Sequence, residues 1–584
     1  MKKQNLVILL ITLFPLYFSS CNSGSSVNNS QISNDPATIA KGETIFNQYC
    51  VGCHNFRQDG IGPNLSGITT LVTSDWIQHF IKDPKKIIDS KDKRALELFK
   101  KYKVAMPAFA TFKDDEIQDI ITFLNTHQKI EHPFVKGNGN ELPNPISDTI
   151  QLSNLLVNLS LITQIPASSD SGKLPFTRIT KLDFEKKSGS TFILDLRGKL
   201  YKLQNNKPVV YMNLAELKPK FIAEPSLGTG FGSFAFHPDF AKNGLLYTTH
   251  TESTGSGKAD FSYADSIKVE LQCVVTEWKT TTPGAATFSG TSRELFRVNM
   301  VTSKHAIQDV AFNPLAKTGN YDYGLLYICI GDGACVEEGY PFLAHSKDKV
   351  WGSILRIDPA GNNSANKKYG IPEKNPFAKN NNPKVLGEIY AYGLRNPHRI
   401  SWTKSGNILV CNIGQANIES VNLILPGSDY GWPIREGTFS LNPYGDLNKV
   451  YSLPANDSIY KITYPIAEYD HGEGIAISGG YEYWGTTVPE LRGKYLFGDI
   501  PSGRLFYINM ADIKLGKQAP IKEWKISIND IPTRLLKVCG SNRVDLHFGR
   551  DAKGELYILT KADGKVYQLA SATAKPQLLY GKKL

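Results

Sequence analysis

Across 584 residues no arginine-rich patch with interleaved aromatics occurs, although the formal net charge is +11. The excess comes from scattered lysines, which read as a solubilising surface, with an acidic partner as the alternative. Nucleic acid is therefore not an expected partner. Long apolar runs are also missing, and the one present, from Leu6 to Phe18, is too short to span a bilayer. Beyond residue 150 long amphipathic helical patterns disappear. Cysteine is sparse at 8 residues, and the pair Cys50 and Cys53 has no second Cys/His pair nearby to complete a zinc knuckle. What the chain does have is 41% hydrophobic and 21% charged residues, a globular composition long enough for more than one core.

Lys2 and Lys3 precede the apolar run, which ends in Phe18-Ser19-Ser20-Cys21. Small residues before a cysteine resemble a bacterial lipoprotein signal over residues 1–21, with lipid on Cys21. An ordinary signal peptide with an incidental cysteine is the alternative. The Ser/Asn-rich stretch 22–36 reads as a flexible tether. Either way the mature chain is expected outside the cytoplasm, where disulfides are allowed, and the lipoprotein reading places it in the cell envelope, lipid-anchored on the periplasmic or outer side. Apart from Cys21 and the Cys50/Cys53 pair, Cys273, Cys329, Cys335, Cys411 and Cys539 remain. An odd number leaves at least one free, and Cys329 and Cys411 suit buried thiols as well as a bridge.

Cys50-Val51-Gly52-Cys53-His54 is a C-x-x-C-H run. Two thiols at that spacing can form thioethers to haem vinyl groups, while the adjacent imidazole ligates iron. Met106-Pro107 follows where a sulfur ligand for the other iron face is expected, and Met/His ligation suits an electron carrier. A cap at Asp35-Pro36 and helical spacing through Ile39, Gly42, Ile45, Phe46 and Tyr49 lead into the motif. Gly60 to Leu65 is a turn-rich wrap, and Ile117, Ile120, Ile121 and Leu124 form one face of a closing helix. In this order the segment resembles a class I cytochrome c over residues 37–128, which implies haem c on Cys50, Cys53, His54 and Met106.

Residues 129–150, rich in proline and glycine, read as a linker. From 151 to 575 short strands recur on one plan, as in Gly244-Leu245-Leu246-Tyr247, Gly324-Leu325-Leu326-Tyr327 and Gly554-Glu555-Leu556-Tyr557. A repeated strand unit over this length predicts a radial β-sheet array, a propeller of six blades, whose loops converge on one axis. The expected architecture is thus a small all-α cytochrome c domain followed by an all-β six-bladed propeller.

Phe234-Ala235-Phe236-His237-Pro238-Asp239, Ile354-Leu355-Arg356-Ile357-Asp358-Pro359, Tyr392-Gly393-Leu394-Arg395-Asn396-Pro397, Asp429-Tyr430-Gly431-Trp432-Pro433 and Gly493-Lys494-Tyr495-Leu496-Phe497-Gly498-Asp499 carry a resemblance. They resemble, in order, the soluble glucose, aldose and sorbosone dehydrogenases that use pyrroloquinoline quinone (PQQ). The resemblance implies His305 as the base that takes a hydroxyl proton and Asp332 as the acid that orients it. It also implies Arg395, Asn396, His398 and Arg504 around PQQ, and carbonyls of Gly414 and Gln415 at a calcium ion. The implied reaction oxidises a sugar or related alcohol or aldehyde and sends electrons through the haem to a downstream respiratory acceptor. Several positions depart from the family pattern: Trp484 where a lysine is usual, Gly228 where a glutamine is usual, His398 for another glutamine, Lys304 for a polar or acidic residue before the histidine, and Ile307-Gln308 for the small residues after it. Their bearing is on whether the quinone is held, the alternative being a propeller that only binds carbohydrate or protein, as in the hedgehog-interacting relatives.

Overall fold

A computed structural model of the chain describes residues 32–56, 59, 61–127, 140–169, 175–224 and 228–574. Cys21, the signal, most of the tether and the first part of the linker lie outside the described residues.

The N-terminal domain is built of six helices: α1 Pro36–Tyr49, α2 Ile68–Leu71, α3 Ser74–Lys82, α4 Pro84–Asp89, α5 Lys93–Tyr102 and α6 Asp114–Asn125. Asp35 caps α1 by accepting from the Thr38 amide at 3.0 Å, with proline in the first turn where its missing N–H costs nothing. The two terminal helices cross closely at Gly42, where a β-carbon would stand 1.9 Å from the Asp119 carbonyl oxygen. Ile117, Ile120, Ile121 and Leu124 of α6 are buried there with Phe46, the helical face expected from spacing.

The C-terminal domain is a ring of six four-stranded antiparallel blades. Their innermost strands are Ile179–Phe184, Phe231–Phe236, Ile307–Phe312, Pro397–Trp402, Ile477–Glu482 and Leu546–Arg550, numbered here as blades one to six. The ring is closed in blade six, whose outermost strand, Gln151–Gln164, comes from just after the cytochrome and pairs antiparallel with Lys565–Ala574. Full closure removes the open edges that a sheet repeat otherwise exposes.

Around the axis a buried ionic network stitches the inner strands. Lys181 of blade one donates to Asp309 of blade three at 2.8 Å and to Ser233 of blade two at 3.1 Å. Arg399 of blade four meets the same Asp309 at 3.1 Å. Each buried charge thus has an opposite partner, the condition under which burial of ions is tolerated. Cys273, Cys329, Cys335, Cys411 and Cys539 are all free thiols, and burial raises the pKa of each.

The two domains touch directly. The described end of the linker lies on blade four, where the Ile146 amide donates to Asp470 at 3.2 Å. From the cytochrome, the Asp59 amide donates to Asn448 at 3.0 Å, and the C-x-x-C-H turn faces the propeller axis.

Candidate functional site

Inside the helical domain, a cavity of about 1240 Å³ is lined by Cys50, Cys53, His54 and Met106 together with Trp76 and Phe109. His54 is buried, and its Nδ1 donates to the Pro63 carbonyl at 2.8 Å. That bond fixes the tautomer and leaves the Nε2 lone pair for ligation. Gly62 permits the close packing, since a β-carbon there would lie 2.4 Å from His54 Cε1. Apolar walls, two thiols, one oriented imidazole and one thioether in a single cavity fit haem c.

A second cavity, an axial cleft of about 1020 Å³, opens at one end of the propeller. His305 stands on its wall in a left-handed turn, φ 48°, just before blade three. Its Nδ1 bonds Asp332 Oδ1 at 2.6 Å, so Nε2 carries the free lone pair. Asp332 is itself held by the Trp432 indole N–H at 2.9 Å and by the Ala334 amide at 2.8 Å. Gly331 gives His305 its room, because a β-carbon there would sit 2.3 Å from the His305 carbonyl oxygen. Burial, and then the positive charge of Arg395, push His305 below its ordinary pKa, with Asp332 opposing them. The result is a neutral imidazole with a fixed proton on the far nitrogen, the form a general base needs.

Arg395 reaches the same cleft and is fully engaged. Its Nε donates to Gln415 Oε1 at 2.8 Å, Nη1 to the Gly414 carbonyl at 2.5 Å, and Nη2 to Glu337 Oε1 at 2.9 Å. Glu337 also meets Lys304 at 3.2 Å; burial pushes its carboxyl up, but Lys304 and Arg395 outweigh this and hold it at about 2. Asn396 and His398 line the cleft as well. Gly228 lines it too, pressed against the turn that carries the base, where a β-carbon would meet the Ser303 carbonyl at 2.8 Å. A longer side chain there would displace His305, which explains glycine at that position.

Three expectations change. The calcium ion implied at Gly414 and Gln415 does not fit, because the Arg395 guanidinium occupies the Gly414 carbonyl. The backbone amides of Gln415, Ala416, Asn417 and Ile418 instead converge on Glu436 Oε1. Among the described residues no group of three or more His, Cys, Asp or Glu side chains is placed to hold a metal ion. Arg504 does not reach the cleft, since its Nη1 is paired to Glu473 and its Nη2 to Glu523, each at 2.7 Å. Trp484 also lies away from it, stacked under Arg550 with the guanidinium carbon 4.1 Å from the ring centroid.

Residues not anticipated from the sequence complete the cleft: Glu337, Arg543, Asp545, His547 and Lys561. Five cationic side chains (Lys304, Arg395, Arg399, Arg543, Lys561) line it against two carboxylates, Glu337 and Asp545, an excess that suits a polyanionic ligand. Gln415 Nε2 is buried there without a partner. A site rich in cations, with an unsatisfied buried donor and an oriented base, fits a tricarboxylated quinone. Four further lining residues, Gly52, Cys53, Asn55 and Ile61, belong to the cytochrome.

Residues 180–568 match the glucose/sorbosone dehydrogenase family, and residues 39–128 match cytochrome c. The HIPL2 protein of Arabidopsis thaliana is 30% identical over 316 residues, 47% of this chain and 43% of that protein. Quinoprotein glucose dehydrogenase B of Acinetobacter calcoaceticus is 25% identical over 314 residues, 50% of this chain and 58% of that one. The crystal structure of the soluble aldose sugar dehydrogenase of Escherichia coli in its apo-form superposes with a TM-score of 0.48 at 18% identity, over 72% of this chain and 100% of that one. The chain spans about half the length of the curated relatives it matches, between 43% and 52% for the two from Arabidopsis thaliana. By the extent of that match, the chain belongs to the glucose/sorbosone dehydrogenase family, with a cytochrome c domain ahead of the propeller.

Proposed function

We propose that the protein is an extracytoplasmic quinohaemoprotein. It oxidises a sugar, or a related alcohol or aldehyde, with PQQ in the axial cleft, and the electrons leave through haem c of the fused cytochrome. One observation carries this reading: the cleft that holds the His305–Asp332 pair is also lined by Gly52 and Cys53 of the C-x-x-C-H motif.

His305 Nε2 takes the substrate hydroxyl proton as the carbonyl forms and hydride departs. Asp332 holds the opposite N–H and stabilises the imidazolium, while Trp432 and Ala334 keep Asp332 in place. When bound, the quinone supplies the electrophilic carbon for hydride and the haem a one-electron outlet. Arg395 and Lys304 set the positive field for the quinone carboxylates, with Glu337 fixing both cations in position. Tethering replaces diffusional encounter by a high effective concentration of the electron acceptor. Lipidation at Cys21 and export belong to the same proposal, and the final partner is a respiratory electron acceptor of the envelope.

The test is reconstitution of the purified, haem-loaded chain with PQQ, followed through the haem absorbance as aldoses are added. Haem reduction that requires both quinone and sugar is the expected result. Absence of quinone binding and of haem reduction with every sugar would overturn the reading and leave a propeller that only binds.

A further inference from the structure

The second residue of each innermost strand falls at an equivalent position around the axis: Thr180, Gly232, Gln308, His398, Ser478 and His547. Four of these side chains hold a buried polar atom that lacks a partner among the described residues: Thr180 Oγ1, His398 Nδ1, Ser478 Oγ and His547 Nε2. The two imidazoles lie side by side, ring centroids 5.4 Å apart, and both line the axial cleft. Buried polar atoms are nearly always paired, and three of these exceptions, on Thr180, His398 and His547, line the axial cleft, which marks a place that a ligand completes.

Lys561 opens on the same cleft and is only 5% exposed. Its ammonium makes no hydrogen bond or ion pair with any described residue. Asp545, the carboxylate that shares this wall, is committed to Arg543 Nε at 2.6 Å. Asp545 and Asp195 attract the Lys561 ammonium without pairing with it and do not offset its burial, so a ligand that brings an anion into contact would stabilise it.

We propose that Lys561, His547 and His398 form a carboxylate-anchoring subsite on the propeller axis, which holds one end of the quinone assigned to the cleft above, and the inference rests on that assignment. Lys561 supplies the charge, and the imidazoles supply N–H donors to the same carboxylate. Burial, then Arg399 and Lys561, push His398 down to about 3, so it serves as a neutral donor rather than as a competing cation. Burial likewise pushes Lys561 down to about 8 against the pull of Asp545, the signature of an ammonium that gains from an added anion. Lys561 thereby takes the charge role that Trp484, turned away under Arg550, does not fill.

The experiment measures equilibrium binding of PQQ and of its trimethyl ester to the full, haem-loaded chain, by quinone fluorescence and without substrate. Wild type should bind the acid at least about 10-fold tighter than the ester, the scale of a charge-assisted hydrogen bond. Lys561→Met should weaken the acid by about 10- to 100-fold and leave the ester unaffected, while Lys561→Arg should stay within about 10-fold of wild type. The haem spectrum and thermal midpoint report folding of each variant. Equal binding of acid and ester by wild type overturns the subsite without any variant having to fold. Unchanged acid binding in a folded Lys561→Met overturns it too, while leaving the quinone in the cleft. Failure of wild type to bind either probe overturns the cleft assignment itself, a different and recognisable pattern.

Discussion

Arg543 Nη1 donates to the Cys53 sulfur at 3.4 Å across the domain boundary. The same guanidinium lines both the haem cavity and the axial cleft, and Asp545 anchors it from below. It stands where the two cavities meet, beside Cys53, which lines both. Arg543→Ala should slow haem reduction by the propeller by about 10-fold, through loosened placement of the haem edge. Stopped-flow haem absorbance after addition of sugar checks this, and an unchanged rate would remove Arg543 from the path between the sites.

His305→Ala should lower sugar oxidation by about 10²- to 10⁴-fold, the usual contribution of a positioned base. The haem spectrum should be intact, because His305 belongs to the other cavity. Gly331→Ala tests the same base from behind. Its β-carbon, 2.3 Å from the His305 carbonyl, should displace the turn and reduce turnover while Asp332 remains in the sequence. Steady-state rates with an artificial acceptor measure both; full activity in either variant would be inconsistent with the base assignment.

Met106→Ala should remove the sulfur from the haem cavity and lower the haem reduction potential, since thioether ligation raises it. Spectroelectrochemistry reads the shift. A potential equal to wild type would show that Met106 only packs against the porphyrin.

Acid should weaken the fold through histidines that burial keeps neutral. His305, His398 and His547 all have pKa values lowered from the ordinary 6.5 by burial first. In the unfolded chain they take up protons as pH falls through 6.5, while in the folded chain they do not. The unfolded state therefore binds more protons, and stability falls as pH drops below that value. Each imidazole contributes at most about 1.4 kcal/mol per pH unit. Urea midpoints on either side of pH 6.5 check the slope, which should flatten in His547→Asn.

Asp309 is the common counter-ion of Lys181 and Arg399 at the axis. Asp309→Asn leaves two buried cations with one neutral amide and should cost about 3–5 kcal/mol, read by chemical denaturation. A loss under about 1 kcal/mol would mean that other oxygens already compensate those charges.

The cytochrome was legible because its chemistry is local. The cap at Asp35, the C-x-x-C-H run and the isoleucine face of Asp114–Asn125 each sit within a few turns of chain. The blades were legible from their repeated strand plan, and His305 with Asp332 through family resemblance. Lys561, His547 and Arg543 were not legible, because a propeller axis collects single residues from strands hundreds of positions apart. His547 then looks like a lone polar residue in an apolar strand, and Arg543 and Lys561 like ordinary charged residues beside one. One trace existed: His398 and His547 hold the same place, second in an innermost strand. Arg504 and Gly414 misled because their partners, Glu473, Glu523 and Arg395, stand 19 to 31 residues away, outside the short segments around them, and side-chain pairing at that separation leaves no pattern in sequence.

The strand Gln151–Gln164 joins the last blade although it is made before every other strand of the ring. Until the last blade pairs, the propeller is thus an open horseshoe with two exposed edges. Only the final hairpin, ending in Lys565–Ala574, can shut it. A chain interrupted before that hairpin would carry a mature electron carrier on an open sheet array, with edges free to pair with other copies. Closure of the ring therefore rests on its last strand, not on the haem.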